Sequence, residues 1–304
     1  VTIITVSLIH YSIVMRATTI YTEQIEYVPS IQQITTEPAI QSNSTLQWLS
    51  VISIFKNEAD IIEEWLDHHI WQGVDHFYLI NNNSSDNFYP ILKPYIEKNI
   101  VTLCVEPKEH MQIQAMNEML SFVKNYSEWI MPIDLDEFVY ALPAAGKGDS
   151  ISDVLRNISS MNVDVMTLPW IMFGSAGYIE QPKSIRKSFT RCSRDTRKRN
   201  GKYIARSKSI EKYGIHKPVM KQDIKIVNRC LELVNSLEDR GCDNPIIELN
   251  HYNIMSWERF QRVKMTRGSA YIAKSDGVKT ASYFVNYDKF ENVSDCFDLS
   301  YLLP

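Results

Sequence analysis

Glycine is scarce in this 304-residue chain, ten residues in all, which excludes a glycine-rich repeat or a β-helix. No stretch is collagen-like or of low complexity. Cysteine is sparse as well. Cys104, Cys192, Cys230, Cys242 and Cys296 stand far apart with no C-x-x-C pair among them, so zinc ribbons and dense disulfide scaffolds are excluded. An odd count leaves at least one thiol unpaired within the chain. No apolar run reaches the ~20 residues that a membrane-crossing helix needs. Apolar residues as such are not lacking: 44% of the chain is hydrophobic and 22% charged, enough for a sizeable core and incompatible with global disorder.

The charge is unevenly spread. The net value is −4, yet Lys183 to Lys225 holds fifteen Lys and Arg against Asp195, Glu211 and Asp223, a local +12. Such a block in an acidic protein fits either a solvated loop or a phosphate-bearing partner. It lacks the aromatics interleaved on strands that mark an RNA-binding sheet, so nucleic acid is not expected. At the N-terminus, Val1–Met15 (VTIITVSLIHYSIVM) is fifteen mostly apolar residues. It fits a truncated signal-anchor, a secretion signal or a buried strand. Residues 17–45 are rich in Thr, Gln, Glu and Ser with Pro29 and Pro38 and read as a stem or linker. Membrane association through this segment and a cytoplasmic location both stay open. Sequons at Asn43, Asn82, Asn83, Asn125, Asn157 and Asn292 only modestly exceed chance.

The body of the chain alternates. Trp48–Phe55 (WLSVISIF) is a compact β-branched run, hence a buried strand. From Glu58 to Trp71 apolar residues recur at helical spacing and stop at Gly73. His76–Ile80 is a second strand running into the turn cluster 81–86. A helix through Tyr95–Lys98, a strand at Ile100–Val105, a helix at Met111–Lys124 and a strand at Glu128–Ile133 follow. This β-α-β-α-β-α-β order predicts an α/β fold with a mostly parallel sheet and helices on both faces. Further strands are predicted at Val163–Leu168 and Ile246–Leu249, and a helix with Ser256 as N-cap over Ser256–Ala270. In such sheets a ligand lies beyond the carboxyl ends of the strands. Lys56/Asn57/Glu58, the cluster 81–86 and the group 134–137 all fall there.

Asp134-Leu135-Asp136 follows the fourth strand. Period-two alternation points its two carboxylates to one side and buries Leu135 opposite. Two converging carboxylates repel unless a cation sits between them. Mn²⁺ or Mg²⁺ takes such oxygen ligands and shares them with substrate phosphates. A bare D-x-D is common by chance; D-L-D-E-F behind an apolar fourth strand is not.

An ordered set of motifs resembles the glycosyltransferases of the family-92 and family-2-like group. It comprises VISIFKNE (51–58), EWLDHH (64–69), GVDHFY (73–78), the run 82–86, Gln114 to Asn117, and WI with DLDEF (129–138). FGSAG (173–177), IHKP (215–218), NHY (250–252) and SWERF (256–260) with Lys264 and Arg267-Gly268 continue it in the same order. Ala176 stands where a second Ser is usual, and Met255 where Lys is. The resemblance covers about residues 48–272. It implies a GT-A, Rossmann-like fold over 48–285, between the segment 1–47 and a tail, 286–304. It implies a metal-dependent transfer of a sugar, in relatives galactose, from a nucleotide-sugar donor to a glycan or glycoconjugate hydroxyl. Asp134 and Asp136 are the expected ligands of Mn²⁺ or Mg²⁺, with a histidine from the second half, His251 preferred over His216. Lys56, Asn57 and Glu58 are expected to flank the base or ribose, with Asn83 or Asp86 helping. Gln114 and Asn117 are expected to approach sugar or diphosphate, and Lys264 and Arg267 to reach phosphates. Asp136, Glu137 and Glu258 are the candidate catalytic carboxylates, the general base staying unassigned among Glu137, Glu258 and Asp164. Trp170, Phe173 and the Gly174/Gly177 loop suit sugar stacking. Other D-x-D phosphate enzymes, nucleotidyltransferases or phosphohydrolases, and a non-catalytic basic module are the competing readings.

Overall fold

Strand β1, Gln47–Phe55, sets the architecture through its alternation. Leu49, Val51 and Phe55 enter one core, and Ile52 enters another on the opposite face. The same split recurs in β2, His76–Asn81, where Phe77 and Leu79 join the first core and Tyr78 and Ile80 the second. A strand that buries both sides must be covered on both. Helices α1 (Ile62–Trp71), α2 (Tyr89–Glu97) and α4 (Ile151–Asn157) cover the first face, and α3 (Gln112–Val123) covers the second. Each fully buried Leu, Ile, Val or Phe side chain here contributes ~1.5–3 kcal/mol relative to exposure.

The computed structural model describes residues 46–142, 150–193, 200–238, 242–267 and 278–296. The N-terminal apolar segment and the whole stem, residues 1–45, lie outside these residues. Strands β1, β2, β3 (Val101–Val105) and β4 (Ser127–Pro132) pair in parallel, in the order 3-2-1-4. Beyond β4 the sheet becomes antiparallel, through β8 (Gly201–Arg206) and then β6 (Val165–Phe173). The sheet is α/β as expected, parallel in its first half and mixed in its second. Among the described residues no helix is long and apolar enough to cross a membrane.

Strand β6 runs five residues past its predicted end at Leu168. Its first part pairs β8. Its second part joins a smaller sheet with β13 (Ile247–His251), itself paired with β5 (Glu137–Ala141), and with β7 (Arg191–Ser193). Gly201 sits where β8 meets β6. A Cβ there would lie 1.9 Å from the Leu168 carbonyl oxygen, so only glycine allows this pairing. The predicted boundary at 285 falls inside helix α7, Ala281–Glu291. Strand β14, Ser294–Asp295, pairs β7, and a disulfide joins Cys192 to Cys296. Residues through 296 thus pack with the domain rather than forming a separate tail. Cys230 and Cys242 form a second disulfide, and Cys104 is buried and free.

Three cations of the basic block, Arg186, Lys202 and Arg206, are spent inside the fold. Buried Arg186 pairs with Glu64 at 3.2 Å. Arg206 pairs with Glu128 and lies 4.5 Å above the Trp129 ring. Lys202 is enclosed in the site described below. Within the run 191–199, Arg191 pairs with Asp295, and 194–199 lie outside the described residues. The charge excess read as a mark of a phosphate-bearing partner is, for these side chains, internal compensation.

Helix α1 carries His68 and His69, both fully buried. Burial pushes His69 down to about 3 and His68 well below its ordinary value, and burial likewise lowers His76 to about 4. An unfolded chain protonates these imidazoles near 6.5 whereas the folded one does not. Stability is therefore fully present above pH 6.5 and falls as pH drops toward 4 and then 3. Each imidazole takes ~1.4 kcal/mol per pH unit within its window. Thermal melts at pH 7.5, 6, 5 and 4 check this; a Tm unchanged between pH 6.5 and 4 would contradict it.

Candidate active site

The D-x-D lies in a turn rather than on a strand. Strand β4 ends at Pro132, and the Glu137 N–H donates to the Asp134 carbonyl at 3.1 Å. The Glu137 carboxylate accepts the Asp134 N–H at 2.8 Å, so the backbone folds back on itself instead of continuing the alternation. Leu135 is buried, as expected. Strand pairing brings the distal half to this turn. In the β5–β13 ladder His251 stands opposite Glu137, and the Tyr252 N–H donates to the Asp136 carbonyl at 2.8 Å.

Two carboxylates thus acquire different partners. Asp136, 7% exposed, has Oδ2 2.6 Å from Lys264 Nζ and Oδ1 3.6 Å from His251 Nε2. Burial alone would raise its pKa, but Lys264 and His251 outweigh this and hold it well below the carboxylate range. Asp134, a third exposed, accepts from Lys202 Nζ at 2.8 Å. Lys202 is itself only 1% exposed. Burial alone would lower its pKa, but Asp134 and Glu137 hold it well above the ordinary lysine value.

Glu137 does not face an acceptor. It is fully buried, its Oε1 accepts the Trp170 indole N–H at 2.6 Å, its Oε2 accepts the Asp134 N–H, and Lys202 lies 3.6 Å away. Burial, opposed by Lys202 and reinforced by Asp134, pushes it up to about 7. With both oxygens engaged and no solvent contact, Glu137 braces the turn, in contrast to the solvent-facing catalytic carboxylate that the sequence leads one to expect. Trp170 also packs between two imidazoles, 4.5 Å from the His251 ring and 5.0 Å from that of His216. Of the two candidate histidines, only His251 is paired with Asp136. His216 faces the Gly201 carbonyl at 3.3 Å.

The strand-end loops are tied to one another and to the distal half. The Asn57 N–H donates to Ser84 Oγ at 3.0 Å, and Asn57 Oδ1 accepts the Ser85 N–H at 2.7 Å. Asp86 Oδ2 accepts the Ala59 N–H at 2.7 Å, and burial raises its pKa. Asn83 is exposed, with a left-handed φ of 58°. Glu58 is buried and saturated by Arg259 and Arg267, and Arg267 also donates to the Lys56 carbonyl. Glu58 and Arg267 therefore act as a strut between halves; Glu58 is turned inward, whereas Arg267 stays a quarter exposed and keeps donors that these contacts do not use. Lys56 Nζ lies 3.6 Å from Glu109.

Three expected residues are engaged elsewhere. Gln114 is exposed on α3 and donates to Glu118. Asn117 accepts the Tyr213 N–H at 2.9 Å. Glu258, exposed in the first turn of helix α6 (Trp257–Arg259), accepts the Gln181 N–H at 2.8 Å. Asp164, the remaining carboxylate, accepts from Ser209 Oγ and the Lys225 N–H. Lys202 and Arg259 went unnoticed in the sequence. The signal for Lys202 was present: an apolar triplet, Tyr203-Ile204-Ala205, interrupts the basic run and marks a strand.

By sequence family this is a glycosyltransferase domain, built on a mixed, mostly parallel α/β sheet. The Glycosyltransferase family 92 sequence model matches residues 50–279. The chain belongs to that family. A family 92 protein of Ricinus communis is 23% identical over 255 residues, covering 80% of this chain and 42% of its own length. One from Oryza sativa subsp. japonica is 24% identical over 233 residues, covering 74% and 36%. This chain thus spans about two-fifths of the length of these relatives. Among solved structures, S. aureus TarS 1-349 in complex with UDP-GlcNAc has a TM-score of 0.38 at 13% identity, covering 64% of this chain and 62% of its own. Glucosyl-3-phosphoglycerate synthase from Mycobacterium tuberculosis has a TM-score of 0.32 at 13% identity, covering 54% and 58%.

Proposed function

We propose that this domain binds a nucleotide-sugar and transfers its sugar, a hexose or pentose, to a hydroxyl of a glycan or glycoconjugate, with inversion. The observation that carries this reading is the buried Asp136, met at once by His251 and Lys264 from the distal half. Asp136 and His251 fit a divalent cation such as Mn²⁺ or Mg²⁺. They offer one carboxylate oxygen, Asp136 Oδ1, and one imidazole nitrogen, His251 Nε2, 3.6 Å apart, a donor pair whose hard oxygen and borderline nitrogen suit Mn²⁺. Among the described residues no group of three or more His, Cys, Asp or Glu forms a metal cage. When bound, the cation would neutralise charge developing on the departing diphosphate.

The chain's own residues do the rest. Lys202 orients Asp134 through a fixed ammonium, and Glu137 with Trp170 locks the turn so that Asp136 keeps its direction. The linked loops 56–58 and 82–86 line the carboxyl ends of β1 and β2, where the fold favours a nucleoside.

The test is product analysis. Full-length chain incubated with UDP- and GDP-sugars and Mn²⁺ is expected to release free nucleoside diphosphate, and EDTA is expected to abolish the release. Pyrophosphate or inorganic phosphate as the only product would replace this reading with a nucleotidyltransferase or phosphohydrolase.

A further inference from the structure

We infer that Lys264 is an exchangeable counter-ion: its ammonium holds Asp136 while the donor site is empty and moves to the diphosphate when a divalent cation takes that carboxylate. The inference rests on the function proposed above and concerns how metal and donor binding are coupled. Asp136 is too deeply buried to stand ionised without a cation, because an unpaired buried charge costs several kcal/mol. Lys264 supplies that cation at 2.6 Å, and it makes no other ion pair among the described residues.

Its setting suits exchange. Lys264 ends a π-helical turn, Phe260–Lys264, that continues α6. π-Bulges of this kind gather at functional sites. Its backbone is held in place. The Lys264 carbonyl accepts the Lys279 N–H at 3.2 Å, and Arg259 and Arg262 of the same segment pair with Asp60. The four-carbon stem is therefore the part that moves, and a lysine is a compact charge on a flexible stem. A nearby cation adds to the field. Lys279 sits 4.2 Å over the Tyr283 ring, and burial, followed by the Lys264 ammonium, lowers its pKa. Once released from Asp136, the Lys264 ammonium has a repelling neighbour and seeks an anion. Lys202 offers the contrast: fully enclosed between Asp134 and Glu137, it has nowhere to go.

The consequence is positive coupling. A metal binding alone must displace an ammonium that gains no new partner. A diphosphate binding alone meets a lysine already engaged. Bound together, each supplies what the other displaces, and the coupling must be reciprocal.

The experiment measures Mn²⁺ affinity by calorimetry on the full chain, with and without saturating UDP, for wild type, Lys264→Gln, Lys264→Met and Lys264→Arg. Saturating UDP is expected to tighten Mn²⁺ binding to wild type about 10-fold or more. In Lys264→Gln and Lys264→Met, Mn²⁺ alone is expected to bind tighter than to wild type by about the same factor, with the UDP effect largely lost. Lys264→Arg is expected to keep the coupling, and melting curves confirm that each variant is folded. Mn²⁺ binding to the Gln and Met variants no tighter than to wild type, or undiminished coupling in them, overturns the inference while leaving the metal-dependent transferase in place. Wild type that binds no Mn²⁺ even with UDP overturns both.

Discussion

Asp136→Asn is expected to lower kcat/KM for nucleoside diphosphate release by roughly 10³-fold, about 4 kcal/mol of transition-state stabilisation. The substitution keeps the side chain's shape and removes only its charge. Asp136 is the point where the distal half meets the D-x-D turn, through His251 at 3.6 Å and Lys264 at 2.6 Å, and where the cation is proposed to sit. Without its charge, the metal-binding pair is reduced to a single imidazole. The fold does not depend on that charge in the same way, since the Tyr252 N–H bonds to the Asp136 backbone carbonyl and not to its carboxylate. Circular dichroism is expected to be unchanged, and saturating Mn²⁺ is expected to restore little. A variant retaining a tenth or more of wild-type kcat/KM would remove Asp136 from the chemistry.

Lys202→Met carries the largest expected loss of stability, ~3–5 kcal/mol. The ammonium sits 2.8 Å from Asp134 and 3.6 Å from Glu137, with 1% of it exposed. Methionine fills the same volume but leaves a fully buried Glu137 beside Asp134 with no cation. Glu137 already lies at about 7 with Lys202 opposing the rise; without it the carboxyl takes up a proton more readily still. The deficit should therefore be smaller at pH 5.5 than at pH 8, because protonation removes the charge that lacks a partner. Urea denaturation of both proteins at the two pH values measures this. Equal deficits at both would show that Lys202 contributes by packing alone.

What could be read from the sequence follows from the range of the interactions. Strands β1 to β4 and their helices show in local periodicity, because each buries its own side chains within a few residues of a turn. Asp134 and Asp136 stand out through their place after an apolar strand, and His251 through its place between a strand and a capped helix. Long-range pairings leave no such trace. Lys202 belongs to Asp134 across 68 residues and Arg259 to Glu58 across 201, so both looked like ordinary surface charge. The Glu58–Arg267 pair, 209 residues apart, is equally invisible in the sequence, where each residue stands only as a charge beside a motif. Glu137, adjacent to the motif, looked catalytic because burial is invisible in a run of acids. Strand β6 runs on past the predicted end at Leu168 because Gly201, opposite Pro169, accommodates the close approach of the two backbones.

The Cys192–Cys296 bond gives the edge of the second sheet an unusual kind of attachment. Strand β14 has two residues, both exposed, and so little buried surface that packing alone would hold it weakly. A cross-link closing a loop of about 100 residues contributes several kcal/mol by restricting the unfolded chain. Glutathione-rich surroundings would reverse that contribution, and an oxidising lumen would preserve it. The completeness of this sheet is thus set by redox poise as well as by the residues that compose it.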